Sequence, residues 1–218
     1  MEGEARHHVW CRALVFMVKL ICKTKIKMSE ELFKNKFKVN TLRLSHWDYS
    51  WPGFYYVTIC TKDRACCLGE VKNDQVYFSE IGKVVFECWI NIPKHFGNTI
   101  LDDWIIMPNH LHGIIVITEK NDFDDKNCRD APWHVSTGNK FAPLQSKSLP
   151  SIINHFKGSV KRFCNKNDLA EFAWQERYYE HIIKDEDDYA RIKKYIANNP
   201  INWEIDRNNP NNIKRGLL

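Results

Sequence analysis

The strongest hydrophobic pattern in the chain runs from Leu101 to Ile117 and reads L-D-D-W-I-I-M-P-N-H-L-H-G-I-I-V-I. Two apolar runs, Trp104 to Met107 and Gly113 to Ile117, flank a polar break. Pro108-Asn109 in that break is turn chemistry, because proline presets φ and asparagine tolerates tight backbone conformations. The pattern predicts a strand, a tight connection and a second strand opening near His110. Side chains alternate faces along a strand, so His110 and His112 point the same way with Leu111 behind them.

The same reading extends to the rest of the chain. Gly53 to Thr61, rich in aromatic and β-branched residues, has the composition of a central strand. Lys62-Asp63-Arg64 makes a turn, Cys66 to Val71 continues extended, and Val76-Tyr77-Phe78 is a short edge-like piece. Ser79 is placed to cap a helix over Glu80 to Asn91, with Ile81, Val84, Val85, Cys88 and Trp89 on the helical period and Pro93 ending it. Ser148 is placed to cap a second helix that opens with Leu149-Pro150, and Ile152, Ile153, Phe156, Val160 and Phe163 form its apolar stripe. Phe172 to Ile183 suits another extended element with aromatic anchors. Tyr189, Ile192 and Ile196 then space as a last helical stripe, ending before Pro200. Tyr195 and Asn199, four residues apart, project from the same side of that helix. This order of elements predicts an α+β fold, a ferredoxin-like antiparallel sheet with helices packed on one face.

Bulk properties narrow the class. With 218 residues, the chain is expected to form a single domain over residues 31–210. Residues 1–30 are expected to be an N-terminal extension, poorly ordered or not native, since Met28 begins a natural-looking polar start. Residues 211–218 would be a short tail. Residues 119–147 are polar and contain Pro132 and Pro143, which predicts a mobile or variable insertion. A hydrophobic content of 44% with 13% aromatics excludes a disordered chain. The apolar segment Val9 to Cys22 is interrupted by Arg12 and Lys19, too short and too charged to span a bilayer. The eight cysteines (Cys11, Cys22, Cys60, Cys66, Cys67, Cys88, Cys128 and Cys164) include no C-x-x-C pair, and predict reduced thiols of a cytoplasmic protein.

Charge and histidine spacing supply the candidate chemistry. The net charge of +5 is a mild bias toward anionic partners. From Ser146 to Lys166 stand five basic residues, Lys147, Lys157, Lys161, Arg162 and Lys166, and no acidic ones. They form either a solvated helix face or a contact with a nucleic-acid backbone. Lys36 and Lys38 are further phosphate candidates. Trp47, Trp51 and Trp133 are either base-stacking platforms or loop anchors. A bare H-x-H is more often a hydrogen-bonded or surface pair than a metal site, but two imidazoles on one strand face can share one divalent cation.

Taken together, the motifs resemble those of single-tyrosine HUH transposases, above all the REP-associated tyrosine transposases of the IS200-like superfamily. The likeness spans roughly Asn40 to Asp206. It rests on four stretches in order: G-F-Y-Y-V-T-I-C-T followed by K-D-R; M-P-N-H-L-H-G-I-I-V-I; S-L-P-S-I-I-N-H-F-K-G-S-V-K; and W-Q-E-R-Y-Y-E-H-I-I-K followed by Y-I-A-N-N-P. The resemblance implies an HUH endonuclease fold and a metal-dependent single-stranded DNA endonuclease and strand transferase that cleaves hairpin-bearing DNA for transposition. By that likeness His110, His112 and Asn199 hold the metal and Tyr195 is the nucleophile, with Tyr178, Tyr179 and Tyr189 as nearby rivals. Lys157, Lys161 and Arg162 would contact DNA, and His181 is either a structural histidine or one that supports the site or touches substrate. The implied cofactor is Mg²⁺ or Mn²⁺ with no organic group, and the implied partner is single-stranded hairpin DNA, with no membrane and with a homodimer or a monomer both compatible. Three alternatives stand beside this: a domesticated DNA-binding protein of the same fold, a metal hydrolase unrelated to DNA, and a non-catalytic ferredoxin-like RNA-binding module.

Overall fold

The computed structural model describes residues 47–119 and 146–214. A four-stranded antiparallel sheet is built from β1 (Gly53–Cys60), β4 (Thr99–Met107), β5 (His110–Ile117) and β6 (Tyr179–Ile182), in the order β4-β5-β1-β6. A separate hairpin joins β2 (Gly69–Lys72) to β3 (Gln75–Phe78). Its turn residues Asn73 and Asp74 both have positive φ, as a two-residue hairpin loop requires. The helices are α1 (Glu80–Ile90), α2 (Ile92–His95), α3 (Leu149–Lys166), α4 (Glu186–Ala197) and α5 (Pro210–Lys214). The α+β class and the antiparallel sheet expected from the pattern are both present.

Alternation along β1 and β5 divides the core in two. Tyr55, Val57 and Ile59 of β1, with Leu111, Ile115 and Ile117 of β5, pack against Val85 and Trp89 of α1 and Ile152, Ile153, Phe156 and Val160 of α3. On the other face Phe54, Tyr56, Ile114 and Val116 pack with Ile192 and Ile196 of α4. The helices α1 and α3 therefore share one face, as expected, while α4 lies across the sheet from them. The physical reason is that both faces of β1 and β5 are apolar over most of their length, and one layer of helices covers only one of them.

Several local expectations change in detail. The side chain of Ser79 caps α1 by accepting from the Gly82 amide at 3.0 Å. Pro93 does not end α1; that helix stops at Ile90 and Pro93 sits in the first turn of α2, where its missing N–H costs nothing. Ser148 has extended backbone at the start of α3, but its side chain makes no capping bond. Of the stretch Phe172 to Ile183 only Tyr179–Ile182 is a strand, with Trp174 bridging singly to Thr61. The expected insertion and the extension of residues 1–30 lie outside the described residues.

A bulge in β4 fastens α4 to the sheet. Leu101 pairs with Ile115 and Trp104 with Gly113, so one extra residue is accommodated at Asp102-Asp103. Asp102 accepts a hydrogen bond from the Tyr189 hydroxyl of α4. Lys193 of α4 lies 3.6 Å from Asp102 and 3.3 Å from Asp103.

Gly113 occupies the closest approach between the sheet and α1. A Cβ there would stand 2.4 Å from Cζ2 of the buried Trp89 and 3.2 Å from Cβ of Trp104. Gly113→Ala is expected to destabilise the fold by about 1–3 kcal/mol through overpacking. Chemical denaturation measures this; an unchanged midpoint would mean that Trp89 moves aside freely.

Candidate active site

The connection Pro108-Asn109 delivers His110 and His112 to the face that carries α4. Both rings are buried, with centroids 4.5 Å apart. The Nδ1 atom of His110 lies 2.8 Å from Asn109 Oδ1. The Nδ1 atom of His112 lies 2.8 Å from the Tyr56 hydroxyl and 2.9 Å from the Thr58 hydroxyl, both on the neighbouring strand β1. The remaining nitrogens, Nε2 of each ring, are buried and have no hydrogen-bond partner. Such groups are costly unless something is coordinated there.

A carboxylate completes this cluster. One ligand atom each from His110, His112 and Asp206 lie within 4.8 Å of one another, the single such group of histidine, cysteine and carboxylate side chains among the described residues. Two imidazole nitrogens and a carboxylate oxygen make a donor set suited to a divalent cation of the first transition row, with Mg²⁺ less favoured by the imidazoles. Asn199, the third ligand implied by the sequence resemblance, is close by. It is buried, its Oδ1 has no hydrogen-bond partner, and its Nδ2 donates to the Tyr195 carbonyl at 3.2 Å. That bond keeps the four-residue spacing although Asn199 stands beyond Ala197, where α4 ends. The residues present thus fit a metal, with Asp206 as an addition that sequence reading missed.

Asp206 gave no signal because it sits in an irregular segment. After α4 the chain forms one short 3-10 turn at Trp203–Ile205 and then α5. Asparagine side chains add to the backbone turn bonds there. Asn209 Nδ2 donates to the Trp203 carbonyl at 3.0 Å, while Asn212 Nδ2 reaches Glu204 O at 2.8 Å and Asp206 O at 3.0 Å. Asp206 Oδ1 accepts from the Asn208 amide. Local side-chain bonds of this kind give an irregular segment the partners that a ladder gives a strand.

Tyr195 lies against the cluster. Its ring centroid is 5.1 Å from that of His112 and 6.5 Å from that of Tyr56, and 42% of the residue is exposed. Of the rival tyrosines, Tyr189 is committed to Asp102 and packs on Phe54, and Tyr178 packs with the opposite core. Tyr179 shares with Tyr195 a groove of about 550 Å³, which is also lined by His181, Arg191, Asp206 and Arg207. His181 is held there by Asp188, its Nε2–H donating to Oδ2 at 2.6 Å.

Two of the expected DNA contacts have another use. The Lys157 ammonium donates to the carbonyls of Gln175 and Glu176, and that of Lys161 to the carbonyls of Ala170 and Phe172. Both tie the loop after α3 back to the helix, because the carbonyls of that irregular stretch lack ladder partners. Arg162 donates to Ser159 on its own helix. All three stand on α3, on the face of the sheet opposite the histidines. Trp47 and Trp51 pack edge to face at 5.4 Å and Trp47 Nε1 donates to the Tyr55 hydroxyl, which makes them loop anchors. Trp133, Lys36 and Lys38 lie outside the described residues. Cys60, Cys66, Cys67, Cys88 and Cys164 are free thiols, and no helix among the described residues is long and apolar enough to cross a membrane.

The electrostatics follow from burial. Burial lowers His110 to a pKa of about 4, with Asp206 and Asn199 opposing and Arg64 and Arg207 reinforcing the shift. Burial also drives His112 well below its ordinary value, helped by His110 and Arg207. Both rings are therefore neutral near pH 7, the form that ligates metal. Burial pushes the Tyr195 phenol up; Asn199 lowers it, Asp206 raises it and Arg207 lowers it.

Fold and site together define an α+β protein with a buried two-histidine, one-carboxylate centre set beside a partly exposed tyrosine. No family model matches the chain. An uncharacterized protein of Haemophilus influenzae is 40% identical over 167 residues, which cover 77% of this chain and 91% of that protein. The chain belongs to the same family as the Haemophilus protein. Among solved structures, a REP-associated tyrosine transposase bound to a REP hairpin is similar at 17% identity, covering 75% of this chain and 73% of its own, with a TM-score of 0.48.

Neutral buried histidines set a pH dependence. The unfolded chain takes up protons near the ordinary histidine value of 6.5, whereas folded His110 resists to about 4. In that window the unfolded state binds more protons, so stability falls as pH drops from about 6.5 toward 4. The metal-free protein should lose thermal stability over this range more steeply than a His110→Gln, His112→Gln double variant. Parallel curves for the two proteins would contradict the neutral assignment.

Proposed function

We propose that the protein is a metal-dependent endonuclease and strand transferase for single-stranded DNA, a transposase of the single-tyrosine HUH class. One observation carries the reading: His110 and His112, whose buried Nε2 atoms have no partner, each bring a ligand atom within 4.8 Å of one from Asp206, with the Tyr195 ring 5.1 Å from that of His112. The order of the sequence motifs supports the same class, since H-x-H and the downstream tyrosine are the two parts that such chemistry needs.

In this reading His110, His112 and Asp206, with Asn199 beside them, would hold a divalent cation, Mn²⁺ or Mg²⁺. A cation bound there supplies Lewis acidity toward phosphate oxygens. Tyr195 is the nucleophile. A phenol pushed up by burial is a poor nucleophile by itself, so it depends on positive charge arriving beside it. Arg207 already acts in that direction. Tyr195 Oη attacks a backbone phosphorus, the bond from phosphorus to the 3′-oxygen breaks, and the proton lost by the phenol is balanced by one taken up on the departing 3′-oxygen. The products are a 5′-phosphotyrosine bond and a free 3′-hydroxyl. Because the phosphodiester energy is retained in the tyrosyl ester, a second DNA 3′-hydroxyl can reverse the step and join a new strand without any nucleotide cofactor. The groove shared by Tyr195, Tyr179, His181, Arg191 and Arg207 gives the strand an approach that combines cations with a stacking surface. Hairpin ends from the gene's own flanks are the first substrates to try.

Covalent trapping tests the assignment. Incubation with labelled single-stranded hairpin DNA and Mn²⁺, followed by a denaturing gel, should give a shifted protein band. The band should vanish with chelator, with Tyr195→Phe and with His110→Ala. Persistence of the adduct in Tyr195→Phe would remove the nucleophile assignment. Binding without any adduct or metal requirement would instead indicate a domesticated DNA-binding protein.

A second test concerns Asp206. Asp206→Asn removes the anionic donor while keeping the shape, and should weaken Mn²⁺ binding measured by titration calorimetry. Affinity equal to wild type would exclude Asp206 from the centre and leave Asn199 as the third ligand.

A further inference from the structure

Asn109 looked like a turn residue in the sequence, yet a turn uses only its backbone. Its side chain is fully buried, with 0% exposure. Every polar atom of that side chain is engaged. Nδ2 donates to the Arg64 carbonyl at 3.0 Å and to the Asn208 carbonyl at 2.7 Å. Oδ1 lies 2.8 Å from His110 Nδ1. The Asn109 carbonyl accepts from the Thr61 amide at 2.9 Å.

These contacts leave one consistent assignment of protons. Two backbone carbonyls can only accept, so the amide end that faces them must be the NH₂ group. The reversed amide would set an oxygen against both carbonyls. With Oδ1 then turned to His110, the facing ring atom must be a donor, and His110 is the Nδ1–H tautomer. Its Nε2 consequently carries the lone pair, and that is the ring atom buried without a partner in the residue that clusters with His112 and Asp206.

We propose that Asn109 is a positioning residue of the metal centre, holding His110 in the Nδ1–H tautomer so that its Nε2 lone pair faces the site. The inference rests on the metal-binding reading above for its purpose, though not for its geometry. Hydrogen bonds of this kind to ligating histidines commonly fix ring orientation and ligand strength. Asn109 has a further consequence. Through Asn208 it ties the same ring to the segment that carries Asp206, two residues earlier. Through Arg64 it holds a turn in which Asp63 and Arg64 both adopt left-handed backbone, φ 53° and 54°. One amide therefore brings the histidine ligand and the carboxylate ligand into register, although Asn109 and Asn208 are 99 residues apart in sequence.

Two substitutions separate this role from plain stability. Asn109→Asp keeps an oxygen acceptor for His110 but loses both donations to the carbonyls. Asn109→Ala loses everything. In metal-free protein carrying ¹⁵N-labelled histidine, long-range proton–nitrogen correlation spectra report the tautomer of each ring. Wild type and Asn109→Asp should show His110 as Nδ1–H, and Asn109→Ala should shift it toward Nε2–H. Mn²⁺ affinity of the folded proteins, read by calorimetry, should fall by about 10- to 100-fold in Asn109→Ala and by less in Asn109→Asp, which keeps the His110 acceptor and loses only the ties to the carbonyls. The melting temperature should fall in both. Wild-type His110 in the Nε2–H form, an unchanged tautomer in Asn109→Ala, or Mn²⁺ affinity that simply follows the melting temperature would each overturn the proposal. If Asn109→Ala fails to fold, the wild-type and Asn109→Asp spectra still decide it. If wild type takes up no Mn²⁺, the metal reading fails, while the tautomer spectra still judge the part assigned to Asn109.

Discussion

The pairing of β1 with β5 is the constraint on which the site depends. In that register Thr58 stands opposite His112 and Cys60 opposite His110. It places Tyr56 and Thr58 where their hydroxyls meet His112 Nδ1, and it turns both imidazoles toward α4. A slip of one residue would send the histidines into the opposite core, among Trp89 and Phe156. Apolar side chains on both faces of the two strands make such a slip expensive, because each face already has its own layer of helix to pack against. The rigidity of the sheet thus sets the precision of the histidine cluster.

The second half of the site is brought by elements that hold little core. Helix α4 contributes Ile192 and Ile196 to the sheet, and it is also anchored at the β4 bulge through Tyr189 and Lys193. The segment after it contributes Asp206 and Arg207 with few apolar contacts of its own, and Ile201 and Ile205 are left largely exposed. Hydrogen bonds from Asn109, Asn209 and Asn212 do the work that burial does elsewhere. Polar anchoring of this sort is directional, so it orients a ligand more sharply than hydrophobic contact.

Burial explains the electrical character of the centre. Taking two imidazoles out of water keeps them neutral, and taking the Tyr195 phenol partly out of water keeps its proton on. With Asp206 adjacent, the two neutral imidazoles and one carboxylate form a set that could take a divalent cation. Arg64 and Arg207 lie near enough to disfavour protonated histidine, and Arg207 also lines the groove beside Tyr195.

Periodicity along the chain was enough to reveal the strands around Pro108-Asn109, the helix capped by Ser79, the amphipathic α3 and the stripe of α4, because each follows from local spacing of apolar side chains. The shared face of His110 and His112 followed from the two-residue period of a strand, and the motif order pointed to Tyr195 and Asn199. Other features depended on contacts distant in sequence. Lys157 and Lys161 read as free charge until the loop after α3 supplied carbonyls for them. Asp206 lay in a stretch with no period, and Asn109 read as a turn former because nothing local announces the carbonyl of Asn208. Local spacing determines which residues share a face; only the folded chain decides which faces meet, since that choice is made by packing and by the need of each buried polar atom for a partner.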